Sequence, residues 1–283
     1  MPLVTSKEVL KKAQVGGYAV GAFNANNLEY IQAIIEAAEE EKAPVILQAS
    51  QGAINYAGLD MIVSMVRTAA EVATVPVVLH LDHGTSYEQN VRCLRAGFTS
   101  LMFDGSKLPY DENADITRRI VKMAHVVDVP VEAELGQVPT AGNVTMKEVE
   151  ALMTDPEEAK KFVEETGVDF LAVAVGSVHK MTAQAAKIDA ERTKKIAKLT
   201  GVPLVLHGAS GVTDEGYKAG IEAGICKINI ATELNKAFTR GIHDALAKKP
   251  DEIDPRKIAG VGRQYMKEAI KAKMRLFGCS GKA

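Results

Sequence analysis

The chain has 283 residues, 47% of them apolar, and a formal net charge of −2. The length suits one large α/β domain, and the near-neutral charge without basic runs favours neither a nucleic-acid partner nor an anionic membrane surface. No apolar stretch reaches the roughly 18 residues of a membrane-spanning helix, and no signal-peptide pattern is evident, so a cytoplasmic protein is expected. Three widely spaced cysteines without a CxxC motif argue against a disulfide framework.

Strand-like and helix-like segments alternate about eight times along the chain. The predicted strands are Tyr18–Phe23, Val45–Gln48, Val77–Leu81, Thr99–Phe103, Val131–Leu135, Phe170–Val175, Leu204–Leu206 and Lys227–Ile230. The predicted helices include Leu28–Lys42, Asp60–Ala73, Tyr87–Ala96, Asp111–Val127, one that begins at Asp155-Pro156, Glu233–Lys248 and Asp254–Phe277. Asp111 is a candidate N-cap of its helix.

Such short apolar runs are typical of strands buried on both faces in a parallel sheet, with helices packed outside. Pro44, Pro76, Pro130 and Pro203 each stand just before a strand, where the missing N–H is tolerated. Four such joints indicate a repeated αβ unit, and a (β/α)8 barrel needs roughly 250 residues. We therefore predict a (β/α)8 TIM barrel as one domain over residues 1–283, with a C-terminal helical extension.

Three of the six histidines, His83, His179 and His207, follow the third, sixth and seventh predicted strands. Because all strand ends of a parallel barrel open onto one face, these side chains should meet there. Neutral imidazole suits zinc, cobalt or iron, and catalytic zinc takes three protein ligands with one open position. Each histidine alone could be a hydrogen-bonded structural residue, but the three together predict a metal site. His80 points to the same side as Asp82 and is expected to support the site.

Carboxylates follow neighbouring strands at the same edge. Asp82 adjoins His83, where a base could reach a metal-bound substrate, while Asp104 and Glu134 could hold a second metal position or orient the ligands. The alternatives are a helix cap, a salt bridge or, at Asp104, a turn. Glu132 faces the same way as Glu134, and an acidic side chain in a buried strand is costly unless it is paired or metal-bound.

The last two strands lead into segments that favour phosphate binding. His207–Gly211 is rich in glycine, and Asn229–Glu233 opens a helix. Such segments often bind phosphate through backbone N–H groups and a helix N-terminus. The alternative is an ordinary loop.

In combination, several segments resemble the class II, metal-dependent ketose-bisphosphate aldolases. They are Leu81–Gly84, Glu132–Gly136, Gly176–His179, Leu206–Gly211 and Lys227–Glu233. The resemblance covers essentially the whole chain. It implies a barrel enzyme, dimeric or tetrameric, that reversibly cleaves fructose 1,6-bisphosphate to dihydroxyacetone phosphate and glyceraldehyde 3-phosphate.

The resemblance also implies roles for individual residues. His83, His179 and His207 would bind Zn²⁺, with Co²⁺ or another divalent metal as alternatives, and Asp104 and Glu134 would serve an alternate or second metal position. Asp82 would exchange a proton with the C4 hydroxyl. The expected substrate contacts, with a monovalent cation often beside the phosphate, are Asn24, Ser50, Gly176, Lys180, Gly208, Ala209, Ser210, Asn229, Ile230, Ala231 and Thr232.

Two departures from the family's pattern keep other functions open. The loop Gln137–Asn143 lacks the usual carboxylate, and Lys180 replaces a usual glycine. Tagatose 1,6-bisphosphate, another ketose phosphate, or sugar-phosphate binding without turnover therefore remain alternatives. A metal-dependent epimerase and a Schiff-base aldolase using Lys180 or Lys227 are further alternatives. Arg256 and Arg263 could bind the far phosphate or lie on a helix surface.

Overall fold

The computed structural model describes residues 3–142, 145–181 and 186–283. Its strands are β1 Val20–Asn24, β2 Val45–Ser50, β3 Val77–Asp82, β4 Leu101–Phe103, β5 Val131–Leu135, β6 Phe170–Val173, β7 Leu204–Leu206 and β8 Ile225–Ile230. They form one parallel sheet in the order β3-β2-β1-β8-β7-β6-β5-β4. Hydrogen bonds from Leu81 N to Ser100 O and from Thr99 N to Leu79 O, both 3.0 Å, join β3 to the start of β4. The predicted (β/α)8 barrel is confirmed.

Helices surround the barrel. They are α1 Ser6–Gly16, α2 Leu28–Glu41, α3 Gln51–Ala57, α4 Leu59–Val72, α5 Tyr87–Ala96, α6 Tyr110–His125, α7 Met146–Ala151, α8 Pro156–Thr166, α9 Ala190–Thr200, α10 Asp214–Glu222, α11 Thr232–Lys248 and α12 Pro255–Leu276. In α2, for example, Ile31, Ile34 and Ala38 are buried at helical spacing, which explains why this segment folds as a helix against the sheet. Among the described residues, no helix is both long and apolar enough to span a bilayer.

The sequence predicts the start of one helix correctly and the start of another incorrectly. The Asp155 side chain accepts hydrogen bonds from the first turn of α8, and Pro156 occupies its first position, as predicted. The prediction that Asp111 caps its helix is wrong, because α6 begins at Tyr110 after Pro109. Asp111 lies in the first turn instead, where its charge favours the helix dipole.

The sixth strand is shorter than predicted. Phe170–Val175 was expected, but β6 ends at Val173 because Ala174 N donates to Thr154 Oγ1 at 2.8 Å. Asp189 N then donates to Val175 O, also at 2.8 Å. The chain therefore leaves the sheet early, and the segment that carries His179 folds over the end of the barrel.

The interior of the barrel is lined by polar side chains at two depths. They stand two residues apart on a strand, as in the pairs His80 and Asp82, Glu132 and Glu134, and Lys227 and Asn229, and all six residues are buried. Because side chains alternate between the two faces of a strand, each pair points into the barrel. One member of each pair lies near the carboxyl end of the barrel and the other lies beneath it.

Candidate active site

A cavity of about 490 Å³ opens at the carboxyl ends of the strands. The structure brings all the predicted catalytic and metal-binding side chains to its wall, namely Asp82, His83, Asp104, Glu134, His179 and His207. These residues come from five different strand ends and are spread over 125 residues of sequence. The common edge of the parallel sheet is what unites them.

The three histidines form one cluster, with ring nitrogens that all lie within 4.8 Å of one another. His83 Nε2 is 2.9 Å from His207 Nδ1. His83 reaches this place from a left-handed backbone conformation (φ 50°), which is uncommon for a residue with a side chain. The next residue is Gly84, and a Cβ atom at this position would lie only 2.1 Å from Met102 O. The Asp-His-Gly sequence thus turns the imidazole inward at a point where only glycine can follow.

Two carboxylates orient the rings of His83 and His207. Asp104 Oδ2 accepts a hydrogen bond from His83 Nδ1 at 2.7 Å and is itself held by Ser106. Glu132 Oε1 accepts from His207 Nε2 at 2.7 Å. Since a neutral imidazole has one N–H and one lone pair, these bonds place the lone pairs on His83 Nε2 and His207 Nδ1 once both rings are in the neutral, metal-binding form. The two lone pairs converge on the same small space.

Glu134 shows that the cluster fits a cation. Its Oε2 atom is buried without a hydrogen-bond partner, 3.8 Å from His83 Nδ1 and 3.7 Å from His207 Nδ1. Burial raises the pKa of Glu134 despite the nearby His207. His83, Asp104 and Glu134 form a second group with ligand atoms within 4.8 Å. Because an orphaned buried carboxylate is costly, the residues present suit a divalent metal.

The pKa values of His83 and His179 are shifted in opposite directions by their surroundings. Burial opposes protonation of His83, but Asp82, Asp104 and Glu134 outweigh it and raise its pKa to about 10, so a metal that binds this ring must displace a proton. Burial and the neighbouring histidines lower the pKa of His179 to about 3. His179 is therefore a neutral imidazole, the form that binds metals.

Asp82 is held as an ionised carboxylate against the cluster. Asn24 Nδ2 donates to its Oδ2 at 2.9 Å and Asn229 Nδ2 donates to its Oδ1 at 3.1 Å. Burial opposes ionisation, but the charges of His83, His207 and Lys227 and the hydrogen bond from Asn24 hold the pKa of Asp82 below its ordinary value. The side chain can accept a proton, which is what a general base requires.

Beneath the cluster lies a closed hydrogen-bonded network. Lys227 Nζ donates to Glu132 Oε2 at 2.8 Å and to His80 Nε2 at 3.3 Å. His80 Nδ1 donates to Ser100 Oγ, which is 2.7 Å from Ser6 Oγ. Burial lowers the pKa of His80 to about 4, so the ring is neutral. This geometry gives no support to the Schiff-base alternative at Lys227, whose amine is paired and fully buried.

Most predicted substrate residues line the cavity, namely Asn24, Ser50, Lys180, Gly208, Ala209, Ser210, Asn229, Ala231 and Thr232. Gly176 and Ile230 do not lie on its wall. Ile230 is fully buried and follows Asn229 on β8, so strand alternation turns it out of the barrel. Gly176 (φ 109°) packs closely under Lys187 O, 2.4 Å from where a Cβ atom would be.

The loop after β5 contributes Gln137 and Thr140 to the cavity wall. Its backbone is joined to the sixth strand end, because His179 N donates to Pro139 O and Ala141 N donates to His179 O, both at 2.8 Å. The described part of the loop brings no carboxylate, as its sequence predicts. Asn143 lies outside the described residues.

The two arginines that were candidates for binding the far phosphate pair with carboxylates instead. Arg256 is exposed and pairs with Asp254, and Arg263 pairs with Glu36. On the described part of the wall, Lys107 and Lys180 are the lysines and there is no arginine. Sequence analysis missed Lys107, since nothing distinguishes it from a surface lysine. It also missed Gln48, Ser106 and Asn235 as wall residues; Gln48 alone had a signal, a polar residue at the end of a predicted strand.

Comparisons with known proteins agree with this geometry. The family model described as fructose-bisphosphate aldolase class-II matches residues 4–282. A fructose-bisphosphate aldolase of Geobacillus stearothermophilus is 48% identical, covering 100% of this chain and 99% of its own. One of Thermus caldophilus is 47% identical over 99% of this chain and 100% of its own. The crystal structure of the YdjI aldolase from Escherichia coli K12 superimposes with a TM-score of 0.88 at 36% identity, covering 99% of both chains. The chain thus belongs to the class II fructose-bisphosphate aldolase family, whose members are metal-dependent lyases.

Proposed function

We propose that the protein reversibly cleaves fructose 1,6-bisphosphate into dihydroxyacetone phosphate and glyceraldehyde 3-phosphate. The observation that carries the proposal is the convergence of three histidines on one point with the ionised Asp82 beside them. The full-length relatives named as fructose-bisphosphate aldolases support the substrate.

His83, His179 and His207 are proposed to hold Zn²⁺, with Co²⁺ as the alternative. Three imidazoles and an open fourth position are the ligand set of a catalytic zinc site. When bound, the metal supplies a Lewis acid that polarises the substrate carbonyl. Asp104 is proposed to orient His83 through its 2.7 Å hydrogen bond. Glu134, with its unpartnered Oε2, is proposed to serve an alternate metal position together with Asp104.

Asp82 is proposed to take the proton of the C4 hydroxyl during cleavage and to return it to the aldehyde oxygen during condensation. Asn24 and Asn229 each donate to one of its oxygens, which fixes the direction in which the carboxylate faces the cavity. Gln48 Nε2 in turn donates to Asn24 Oδ1 at 2.8 Å and holds that amide. A general base positioned in this way contributes about 10²–10⁴-fold to a rate.

Backbone N–H groups after β7 and β8 are proposed to bind the phosphate of dihydroxyacetone phosphate. Gly208 is left-handed (φ 61°), and a Cβ atom there would come within 2.9 Å of His179 N. The chain then turns through Ala209–Gly211. The α11 helix begins at Thr232, and the residue before it, Ala231, makes no side-chain cap to its first N–H groups. Uncapped amides at a helix N-terminus suit a phosphate.

A second candidate substrate is a different ketose phosphate. It is favoured by the cations on the described wall, which are Lys107 and Lys180 rather than the arginines expected at the far phosphate. It is also favoured by the loop after β5, whose described residues supply no acid or base to the cavity. Tagatose 1,6-bisphosphate differs only at C4, next to Asp82, and belongs to this candidate class.

The test is an assay of fructose 1,6-bisphosphate cleavage, with and without chelator and with zinc or cobalt added back. Chelator-sensitive activity that the metal restores is expected. Tagatose 1,6-bisphosphate is assayed in parallel, and a higher kcat/KM for it would favour the second candidate. Absence of cleavage of either sugar by metal-loaded protein would contradict the proposal.

We also propose that the chain forms a homodimer or homotetramer. Large apolar side chains that remain exposed, among them Tyr56, Met61 and Ile253, support this proposal. Light scattering on the purified protein tests it. A cytoplasmic location is proposed because Cys93, Cys226 and Cys279 are all free and buried, as expected in a reducing compartment. Fractionation of the source cells tests that.

A further inference from the structure

We propose that Lys227 and Glu132 together determine which nitrogen of His207 is available to a metal. Both side chains are fully buried beneath the cavity. Lys227 Nζ donates to Glu132 Oε2 at 2.8 Å, and Glu132 Oε1 accepts from His207 Nε2 at 2.7 Å. Lys227 thus acts on the metal site through two hydrogen bonds, as a positioning residue. The inference rests on the metal site proposed above.

The order of donors and acceptors leaves one arrangement. An ammonium group only donates and an ionised carboxylate only accepts, so Glu132 must receive hydrogen bonds from both neighbours. His207 Nε2 therefore carries the proton, and the lone pair is on Nδ1, which faces His83 Nε2 at 2.9 Å. Asn229 Nδ2 also lies 3.2 Å from His207 Nε2, but it is a donor engaged with Asp82 and cannot accept that proton.

Lys227 is anchored on its far side as well. His80 Nε2 accepts from Lys227 Nζ at 3.3 Å, because His80 donates through Nδ1 to Ser100 Oγ at 2.7 Å. The ammonium group thus has two fixed acceptors, and none of the buried side-chain atoms of Lys227, Glu132 or His80 lacks a partner. Because an ammonium group can only donate, Lys227 itself sets the direction of its bond to Glu132, whatever His80 and Ser100 do.

The isosteric substitution Glu132→Gln should reverse the direction of the hydrogen bond between residue 132 and His207 Nε2. In Glu132→Gln only one oxygen remains, and we expect the ammonium group of Lys227, a stronger donor than a neutral imidazole, to take it. The amide NH₂ group then faces His207 Nε2, which must accept, so the proton moves to Nδ1, the atom that faces His83. We expect zinc affinity to fall about 10–100-fold, the usual effect of losing a partner that orients a metal-binding histidine.

Removal of the lysine should restore binding. In Glu132→Gln/Lys227→Met the amide oxygen is free to turn toward His207 Nε2 and accept its proton again. We expect this double variant to recover most of the affinity that the single variant loses, although it carries one more substitution. A merely structural role for Lys227 predicts the opposite, because the second change would add to the damage.

The experiment compares wild type, both variants and Ser100→Ala as a control in the same network that contacts neither Glu132 nor His207. Metal-stripped proteins, checked for folding by circular dichroism, are titrated with zinc against a chromophoric chelator. Spectra of ¹⁵N-histidine-labelled metal-free protein report which His207 nitrogen carries the proton, with His207→Asn identifying the signals.

Weak binding by Glu132→Gln, recovery in the double variant and a proton moved to Nδ1 are expected. Unchanged affinity in Glu132→Gln, equal loss in both variants, or an unmoved proton would overturn the proposal. Failure of wild type to bind zinc would instead contradict the proposed metal site. The metal-free spectra would still test the position of the proton.

Discussion

The barrel interior holds two polar clusters that differ in how completely their hydrogen bonds are satisfied. In the lower cluster, Lys227, Glu132, His80, Ser100 and Ser6 form a continuous chain in which no buried atom lacks a partner. In the upper cluster His83 Nε2 and His207 Nδ1 have, among the described residues, only each other as hydrogen-bond partners, at 2.9 Å, and a carboxylate oxygen of Glu134 is unpaired. Both contain histidines and carboxylates, although His83 and Asp104 of the upper cluster are partly exposed where they line the cavity. Satisfaction of the hydrogen bonds, and not residue type, separates a structural network from a ligand site.

The largest effect on zinc binding and cleavage is expected from removal of a metal-binding histidine in the upper cluster. His207→Ala should abolish stoichiometric zinc binding and aldol cleavage, because the two imidazoles that remain are too few to hold the metal. The measurement is metal content by mass spectrometry together with the cleavage rate. Retained stoichiometric zinc in that variant would remove His207 from the ligand set.

The next effect separates chemistry from metal binding within the upper cluster. Asp82→Asn keeps the shape of the side chain but cannot accept the proton, so kcat should fall about 10²–10⁴-fold. Zinc content should match wild type, since Asp82 Oδ1 lies 3.9 Å from His83 Nε2 and the Asp82 side chain is held by Asn24 at Oδ2 and by Asn229 at Oδ1. A kcat within tenfold of wild type would show that another group moves the proton.

A smaller effect is expected at the rim of the cavity. Lys180 is exposed and left-handed (φ 59°), and it follows His179 directly. Lys180→Met should raise KM for the sugar phosphate about tenfold through loss of one charge-assisted contact, with kcat little changed. Arg256→Met is the matched control, because Arg256 pairs with Asp254 and is not on the described cavity wall. Equal KM changes in both variants would argue against a contact specific to Lys180.

The smallest effect on activity should come from the end of the lower cluster that is remote from His207, where Ser100 contacts His80 and Ser6. Ser100→Ala removes the acceptor of His80 Nδ1 and leaves that donor buried, which costs about 1–3 kcal/mol of unfolding free energy. Cleavage rate and zinc affinity should stay near wild type. Urea denaturation measures the first quantity. If zinc affinity fell while stability did not, the distinction between the two clusters would be lost.

The location of the site was readable in the sequence, while its internal bonding was not. His83, His179 and His207 follow predicted strands, and parallel topology alone brings strand ends together. The ring nitrogens that His83 and His207 offer depend on Asp104 and Glu132, which come from other strands.

The local sequence pattern does not predict features that depend on a side chain distant in sequence. The end of β6 depends on a hydroxyl from Thr154, and the partner of Lys227 lies on the far side of the barrel at Glu132. The sequence indicated that a buried Glu132 needs a partner but contained no signal for which one. On the sequence alone, Lys227 is therefore also a candidate nucleophile.

The most direct test of the account is anomalous diffraction at the zinc edge from crystals of the zinc-loaded protein. We expect one strong peak about 2.0–2.1 Å from nitrogen atoms of His83, His179 and His207, the usual zinc–nitrogen distance. For His207 the nearest atom should be Nδ1, with Nε2 still bonded to Glu132. A zinc peak elsewhere, or binding through His207 Nε2, would contradict it.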